Sequence, residues 1–254
     1  MSKLVQETLA MMDDAFAALE KKVPTPQDVE RRHSFVYRYV ERSIQQAIIL
    51  KLARVVSGLR AALLLLENGY VQEQAAMQRL IDELQEDVIF LVYALTVDKL
   101  TPLHQRFLDA FFEEEFDDDD PLASKQRRPM IPRRKIRAYL ANIETPGINR
   151  SEASEAGRTI SKVYSGYVHA AASHVMEMYG GEPPKFHLAG MLGTPRVEEH
   201  AADLWNYYYR GLLAFLGAAH AFQEIELANR LERFLDRFES ESGTNYRHDV
   251  KGQG

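Results

Sequence analysis

Three threonine–proline pairs, Thr25-Pro26, Thr101-Pro102 and Thr194-Pro195, each stand at the head of a long stretch whose apolar residues recur with helical spacing. Threonine caps the free amides of a first helical turn, and proline at the first helical position loses no hydrogen bond. No run of alternating β-branched residues bounded by turn residues stands out. A chain punctuated in this way buries its apolar stripes by packing helix on helix. The expected fold is all-α: a single antiparallel bundle of about six to seven helices, several of them long, over residues 1–254.

The pattern predicts helices over 3–21, from Thr25 to the stop at Asn68-Gly69, over 71–98 and 102–115, a short basic one over 132–142, and long ones over 151–179 and 195–240. Unbroken, the second would be ~60 Å long at about 1.5 Å per residue, with a bend expected at Ser57-Gly58. Thr145-Pro146-Gly147 reads as a turn, and Gly180-Gly181 as a helix stop. Residues 113–130 place a block of acids before a block of bases, so a mobile charged loop is expected there, and a frayed tail over 241–254.

Composition narrows the function classes. A net charge of −6 disfavours a protein that coats nucleic acid. With no cysteine there is no disulfide, thiolate zinc site, iron–sulfur cluster or cysteine nucleophile. The runs "AALLLL" and "VIFLVYALTV" fall short of the roughly 20 residues of a membrane helix. The expectation is a cytoplasmic chain with no membrane partner and no cofactor.

Histidines are the natural candidates for chemistry. On one continuous helix His169 and His174 would lie about 140° apart, too far round to share a ligand. His169, among Ser165, Gly166, Ala172 and Ser173, reads as a packed histidine or as a base in a tight pocket. His174 with Glu177, or Glu83 with Glu86, are the metal-ligand pairs, but neither has the Glu-x-x-His order of the paired di-iron elements, so no metal is expected. Glu83 and Glu86 share a stripe with Arg79, flanked by Asp82 and Asp87; it reads as a solvated face near a buried boundary.

The last helical pattern is apolar on two sides. Trp205, Tyr209, Leu212, Leu216 and Ala219, extended by His220, form a core stripe. Tyr207, Ala214, Gly217, Ala218 and Ala221 form a second, which suggests a homodimer interface or a central helix. The connector before it carries His187 and Arg196. The candidate pocket or polar seam is therefore His169, Tyr179, His187, Arg196, Trp205, Asn206 and Arg210. A phosphate loop, a dinucleotide fingerprint and a nucleophile elbow are all absent from the sequence.

"GYVHAAASHVMEMYGG", preceded by Tyr164, and "LENGYVQEQAAMQRLIDELQED" resemble stretches of bacterial all-helical proteins of unknown function that carry Tyr-x-His on a late helix, here Tyr167-Val168-His169. The general pattern also resembles HEPN helical domains, several of which are ribonucleases. Their signature is an arginine and a later histidine with four to six residues between them. Here Arg196 and His200 are separated by three residues, Arg158 and His169 by ten, and Arg210 and His220 by nine, so no catalytic residue is carried over. The expected function is that of a non-enzymatic helical binding or regulatory protein, homodimeric, acting on a small molecule or a protein. The alternatives are a HEPN-like ribonuclease or other hydrolase pairing His169 with Arg196 or Arg210, with RNA as its unsupported substrate, and a metal-binding bundle.

Overall fold

The computed structural model describes residues 3–31, 34–97, 99–114, 122–123, 130–144 and 164–243. They form an all-α bundle carrying two small hairpins. In chain order come α1 (Lys3–Glu20), β1 (Gln27–Arg31), β2 (Ser34–Arg38), α2 (Ile44–Glu67), α3 (Val71–Thr96), α4 (Pro102–Phe112) and α5 (Arg133–Glu144). A helical stretch 164–168 leads to α6 (Ala172–Met176), β3 (Tyr179–Gly180) and β4 (Lys185–Phe186), and the long pair α7 (Pro195–Ala221) and α8 (Ile225–Ser242) follows. Among the described residues no helix is long and apolar enough to cross a membrane.

α3 is the axle. It packs against α2 on one side and α7 on the other, α5 lies over a third face, and α1 spans α2, α7 and α8. Met12, Leu52, Leu59, Ile81, Leu91, Leu212 and Phe215 are wholly buried in one continuous core. Two glycines let the helices close in. A Cβ on Gly58 would stand 3.0 Å from Ile81 Cγ1, and one on Gly211 2.8 Å from Met12 Cε. α2 is one continuous helix through Ser57-Gly58, and the glycine there serves contact with α3.

Three expected helix boundaries are wrong. The segment after Thr25 is a β-hairpin, paired Gln27↔Arg38 through Arg31↔Ser34, so strands do occur. Val29, Phe35, Val36 and Tyr37 favour a pleated backbone, and the interleaved charges disguise the period of two. α2 begins only after Arg42 turns left-handed (φ 55), at a capping box in which Ser43 Oγ accepts from Gln46 N–H at 3.2 Å. Its length is thus about 36 Å for 24 residues. Of the helix expected over 151–179, residues 151–163 lie outside the described residues, and the remainder is interrupted at Ala170 (φ 50), after which only the short α6 follows before the β3–β4 hairpin. The final helix is two, hinged at Gln223 (φ 60), so α8 folds back on α7. The capping expected at Thr101 holds: its Oγ1 and the His104 ring form a capping box, and His104 Nε2 lies 3.2 Å from Phe90 O. α4 stops at Phe112. Most of the expected charged loop, 115–121 and 124–129, and the tail from 244 lie outside the described residues.

The second apolar stripe of α7 is internal. Tyr207, Ala214 and Ala218 are buried within the chain, and a Cβ on Gly217 would meet Val92 of α3 at 3.4 Å. α7 is the central helix that the two-sided pattern allowed, and the stripe no longer argues for a subunit interface there.

The seam between α3 and α7 is polar. Gln74, Gln78, Asp82 and Gln85 fall on one stripe of α3, all buried. Gln85 Nε2 donates to Tyr207 O at 3.1 Å and Asp82 pairs with Arg210 at 2.6 Å, whereas both amide atoms of Gln78 lack a protein partner. An unsatisfied buried amide costs about 1–3 kcal/mol, and an apolar isostere removes that cost. Gln78→Met should therefore raise the unfolding free energy by about 1 kcal/mol in urea titrations; a fall instead would mean that the amide is bonded in solution.

Candidate functional site

The connector from α6 to α7 is fastened to the turn that joins α2 to α3. Met191 N–H donates to Gly69 O at 2.8 Å, across the turn that joins α2 to α3. The approach is so close that a Cβ on Gly190 would lie 2.4 Å from Asn68 O, and Gly190 and Gly69 both have positive φ (99° and 76°). Gln72 adds a second tie, donating to His174 O at 2.9 Å. These contacts hold α6, the β3–β4 hairpin and the first turn of α7 around a cleft of about 500 Å³.

Three of the seven candidate residues meet there. Tyr179, His187 and Arg196 line the cleft with Ser173, Glu177 and Met191. His187 N–H binds Met178 O at 2.9 Å, and its ring Nε2 lies 3.3 Å from Gly180 O, which fixes the ring against the hairpin. Tyr179 packs edge-on to Phe186, centroids 4.9 Å apart, at the exposed rim. Thr194 sits at the N-cap of α7, but its hydroxyl donates to Met191 O at 2.7 Å, so the first-turn amides of this 27-residue helix carry no side-chain cap. Arg196 stands in that turn, paired with Glu199 at 2.8 Å in a largely exposed contact.

The other four candidates lie elsewhere. Trp205, about 180° round α7 from Arg196, packs on Phe238 of α8 with centroids 5.6 Å apart. Asn206 is exposed. Arg210 is the counter-ion of Asp82, its guanidinium 5.4 Å from the Tyr207 ring centroid. His169 is exposed where a packed ring was expected, and it stands at the turn, next to Ala170 (φ 50), where the helical stretch ends. It lines a separate groove of about 540 Å³ with Glu73, Met77, Leu80 and Glu83. His169 thus meets neither Arg196 nor Arg210. The expected angle between His169 and His174 does not apply either, since the helix is broken between them; His174 folds back onto Gly166, where a Cβ would lie 2.1 Å from its ring.

The metal-ligand pairs are engaged in other ways. Glu177 accepts from Tyr167 Oη–H at 2.9 Å, while the His174 ring meets the Tyr167 ring at 4.4 Å. Glu83 pairs with Arg79 and Glu86 with Arg137, at 2.6 and 2.7 Å. Among the described residues no three histidines or carboxylates come together to hold a metal. The stripe expected to be solvated is therefore covered: Asp82 and Asp87 are buried beneath α7, α2 and α5.

Behind the cleft lies a network that the spacing had not singled out. His200, one turn beyond Arg196, is buried, and its Nδ1 stands 2.8 Å from Gln74 Oε1. With the Gln74 amide in this orientation the carbonyl accepts, and Nδ1 is the donor. Tyr164 donates to Asp203 at 3.0 Å and meets Tyr207 edge-on. Burial first pushes both phenols above their ordinary range, followed by Glu177 for Tyr167 and by Tyr207 and then Asp203 for Tyr164. Burial also lowers the pKa of His200, outweighing Asp203 and Glu177, which act in the opposite sense. Phenols held protonated and an imidazole held neutral supply fixed, uncharged hydrogen-bonding groups. The available signal was the run of buried amides on α3 and the repeat Arg196, His200, Asp203, Tyr207 on α7, visible once both helices are taken as facing each other.

The histidine shift fixes a pH dependence. With the folded pKa below the unfolded value, the unfolded chain takes up the proton first as pH falls. The contribution is present above about pH 6.5 and is lost as pH falls toward the folded pKa. Stability measured from pH 7 down to 5 should decline with a slope that His200→Gln reduces, by at most about 1.4 kcal/mol per pH unit. Equal slopes in both proteins would mean that His200 is not held neutral.

Comparison with known proteins adds no relative: no protein-family profile, curated protein or solved structure matches this chain.

Proposed function

We propose that this chain is a cytoplasmic helical binding protein, with no chemistry of its own, that takes a small anionic molecule into the cleft at the start of α7. One observation carries this: Tyr179, His187 and Arg196, from separate parts of the connector, converge on one cleft beside an uncapped helix N-terminus. A volume of about 500 Å³ suits a small molecule. Amide N–H groups and the positive end of the helix favour an anionic group, and Arg196 adds a full charge. The Arg196–Glu199 pair is exposed and worth at most about 1 kcal/mol, so the guanidinium is free to turn to a ligand. Met176, Met191 and Tyr179 offer apolar surface to the rest of the molecule. The absence of cysteine accords with a reducing compartment.

The test is calorimetric titration of the purified protein with a panel of small carboxylates and phosphates, preselected by thermal shift. A binder from the panel should lose about 1.5–3 kcal/mol of affinity in Arg196→Ala, the value of a hydrogen bond to a charged group. Arg237→Ala, on the far helix α8, should bind as the wild type does. If nothing in the panel raises the melting temperature, or if the Arg196 variant binds unchanged, the cleft is not the site.

A further inference from the structure

The β1–β2 hairpin stands apart from the cleft, and its chemistry is of a different kind. Phe35 and Tyr37 are 55% and 63% exposed, yet their rings touch edge-on at 5.3 Å. The register places Glu30 opposite Phe35 and Asp28 opposite Tyr37, so these four side chains share one face. The other face carries Val29 and Val36. The hairpin is tied to the bundle at its base, where Arg38 bridges to Glu114 at 2.6 Å and Tyr39 is buried.

A two-stranded hairpin has two open edges, and a second strand can add to either. We propose that β2 is the edge through which two copies of this chain pair, antiparallel about Val36, to make a four-stranded sheet ordered β1-β2-β2-β1. The sequence of β2, Ser-Phe-Val-Tyr-Arg, is self-complementary under that operation. Phe35 falls opposite the partner's Tyr37, Tyr37 opposite the partner's Phe35, and Val36 opposite its own copy. Cross-strand aromatic pairs are among the favourable ones, and this arrangement makes two of them on one face. Each ring gains a cross-strand aromatic partner in addition to its neighbour two residues along the same strand.

The β1 edge fails the same test. Antiparallel pairing about Val29 would set Asp28 opposite the partner's Glu30, twice, and like charges directly opposite are destabilising. Acids on β1 thus blunt that edge, and the two-fold arrangement through β2 closes on itself without growing into a filament. One contact must give way: Arg38 Nη1 rests on Tyr37 O at 2.9 Å, an exposed bond on the main chain of β2. Five residues per strand and four rings bury less than the roughly 1,200 Å² of a stable interface, so the dimer is reversible and fills with concentration.

Since the chain has no cysteine, one introduced residue reports the pairing without interference. In Val36→Cys the two sulfurs meet at the symmetry axis, with Cα atoms about 4.5–5.5 Å apart, inside the disulfide range. In Val29→Cys they are three strand spacings apart, about 14 Å, which no disulfide spans. Mild oxidation of the full chain at high micromolar concentration should give a covalent dimer from Val36→Cys, and roughly tenfold less from Val29→Cys. Adding Tyr37→Glu to Val36→Cys should abolish the link while the helical circular dichroism stays unchanged. Sedimentation of the wild type should show a dimer fraction that rises with concentration. A wild type that stays monomeric throughout, equal linking at positions 36 and 29, or a link that survives Tyr37→Glu would each overturn the proposal.

Discussion

α3 carries two buried carboxylates, Asp82 and Asp87, five residues apart and therefore on different sides of the helix. A buried charge needs a counter-charge, because an unpaired one costs several kcal/mol. Asp82 takes Arg210 from α7. Asp87 takes Lys51 from α2, at 2.7 Å, and Arg133 from α5. Three helices are thus indexed onto α3 by charge as well as by apolar area, and a helix that slid by one turn would strand an aspartate. Glu86, between them, is held by Arg137, yet burial still raises its pKa. Such pairs add little net stability over apolar residues of the same size; what they supply here is register.

The cleft depends on that register at second hand. Its walls are loop and hairpin, which have little core of their own. They are placed by Met191 on Gly69 and by Gln72 on His174, so the α2–α3 turn acts as their datum. Because α7 is set against α3 by Asp82–Arg210 and by Gln85 on Tyr207 O, its first turn points at the same place. The site is assembled from parts far apart in sequence, each positioned by a bond to the axle or its turn.

How much of this the sequence disclosed follows from what breaks a helix. α3, α4 and α5 were legible because their apolar period is regular and their ends carry recognised signals, Thr101 at one and Asn68-Gly69 at another. The failures came at Arg42, Ala170 and Gln223, where non-glycine residues adopt left-handed backbone. Glycine and proline announce a break by their chemistry; arginine, alanine and glutamine do so only through tertiary packing. Each missed break joined two elements into one over-long helix and rotated every inferred face beyond it. Tyr179, His187 and Arg196 were found because the connector itself was recognised. Trp205, Asn206 and Arg210 were grouped with them by nearness in sequence, although helical geometry sends them to other sides of α7. The network of Gln74 and His200 escaped notice because it exists only between two helices whose mutual rotation one-dimensional spacing does not give.

The two seams of α3 differ in cohesion. Toward α2, Ile81 seats against Gly58 in close apolar contact. Toward α7, the amides of Gln74, Gln78 and Gln85 leave hydrogen-bonding capacity unspent. Separation along the second seam returns those amides to water and recovers part of its own cost, so α7 and α8 form the natural unit of partial opening, while α2 and α3 remain joined. Backbone amides of α2 and α3 should then exchange their hydrogens more slowly than those of α7, which have the cheaper, local route. A molecule bound in the cleft, as proposed, would bridge the connector, which is anchored on the α2–α3 turn, to the first turn of α7. It would close that route from the end where it opens, and protect a helix whose length extends far beyond anything the molecule touches.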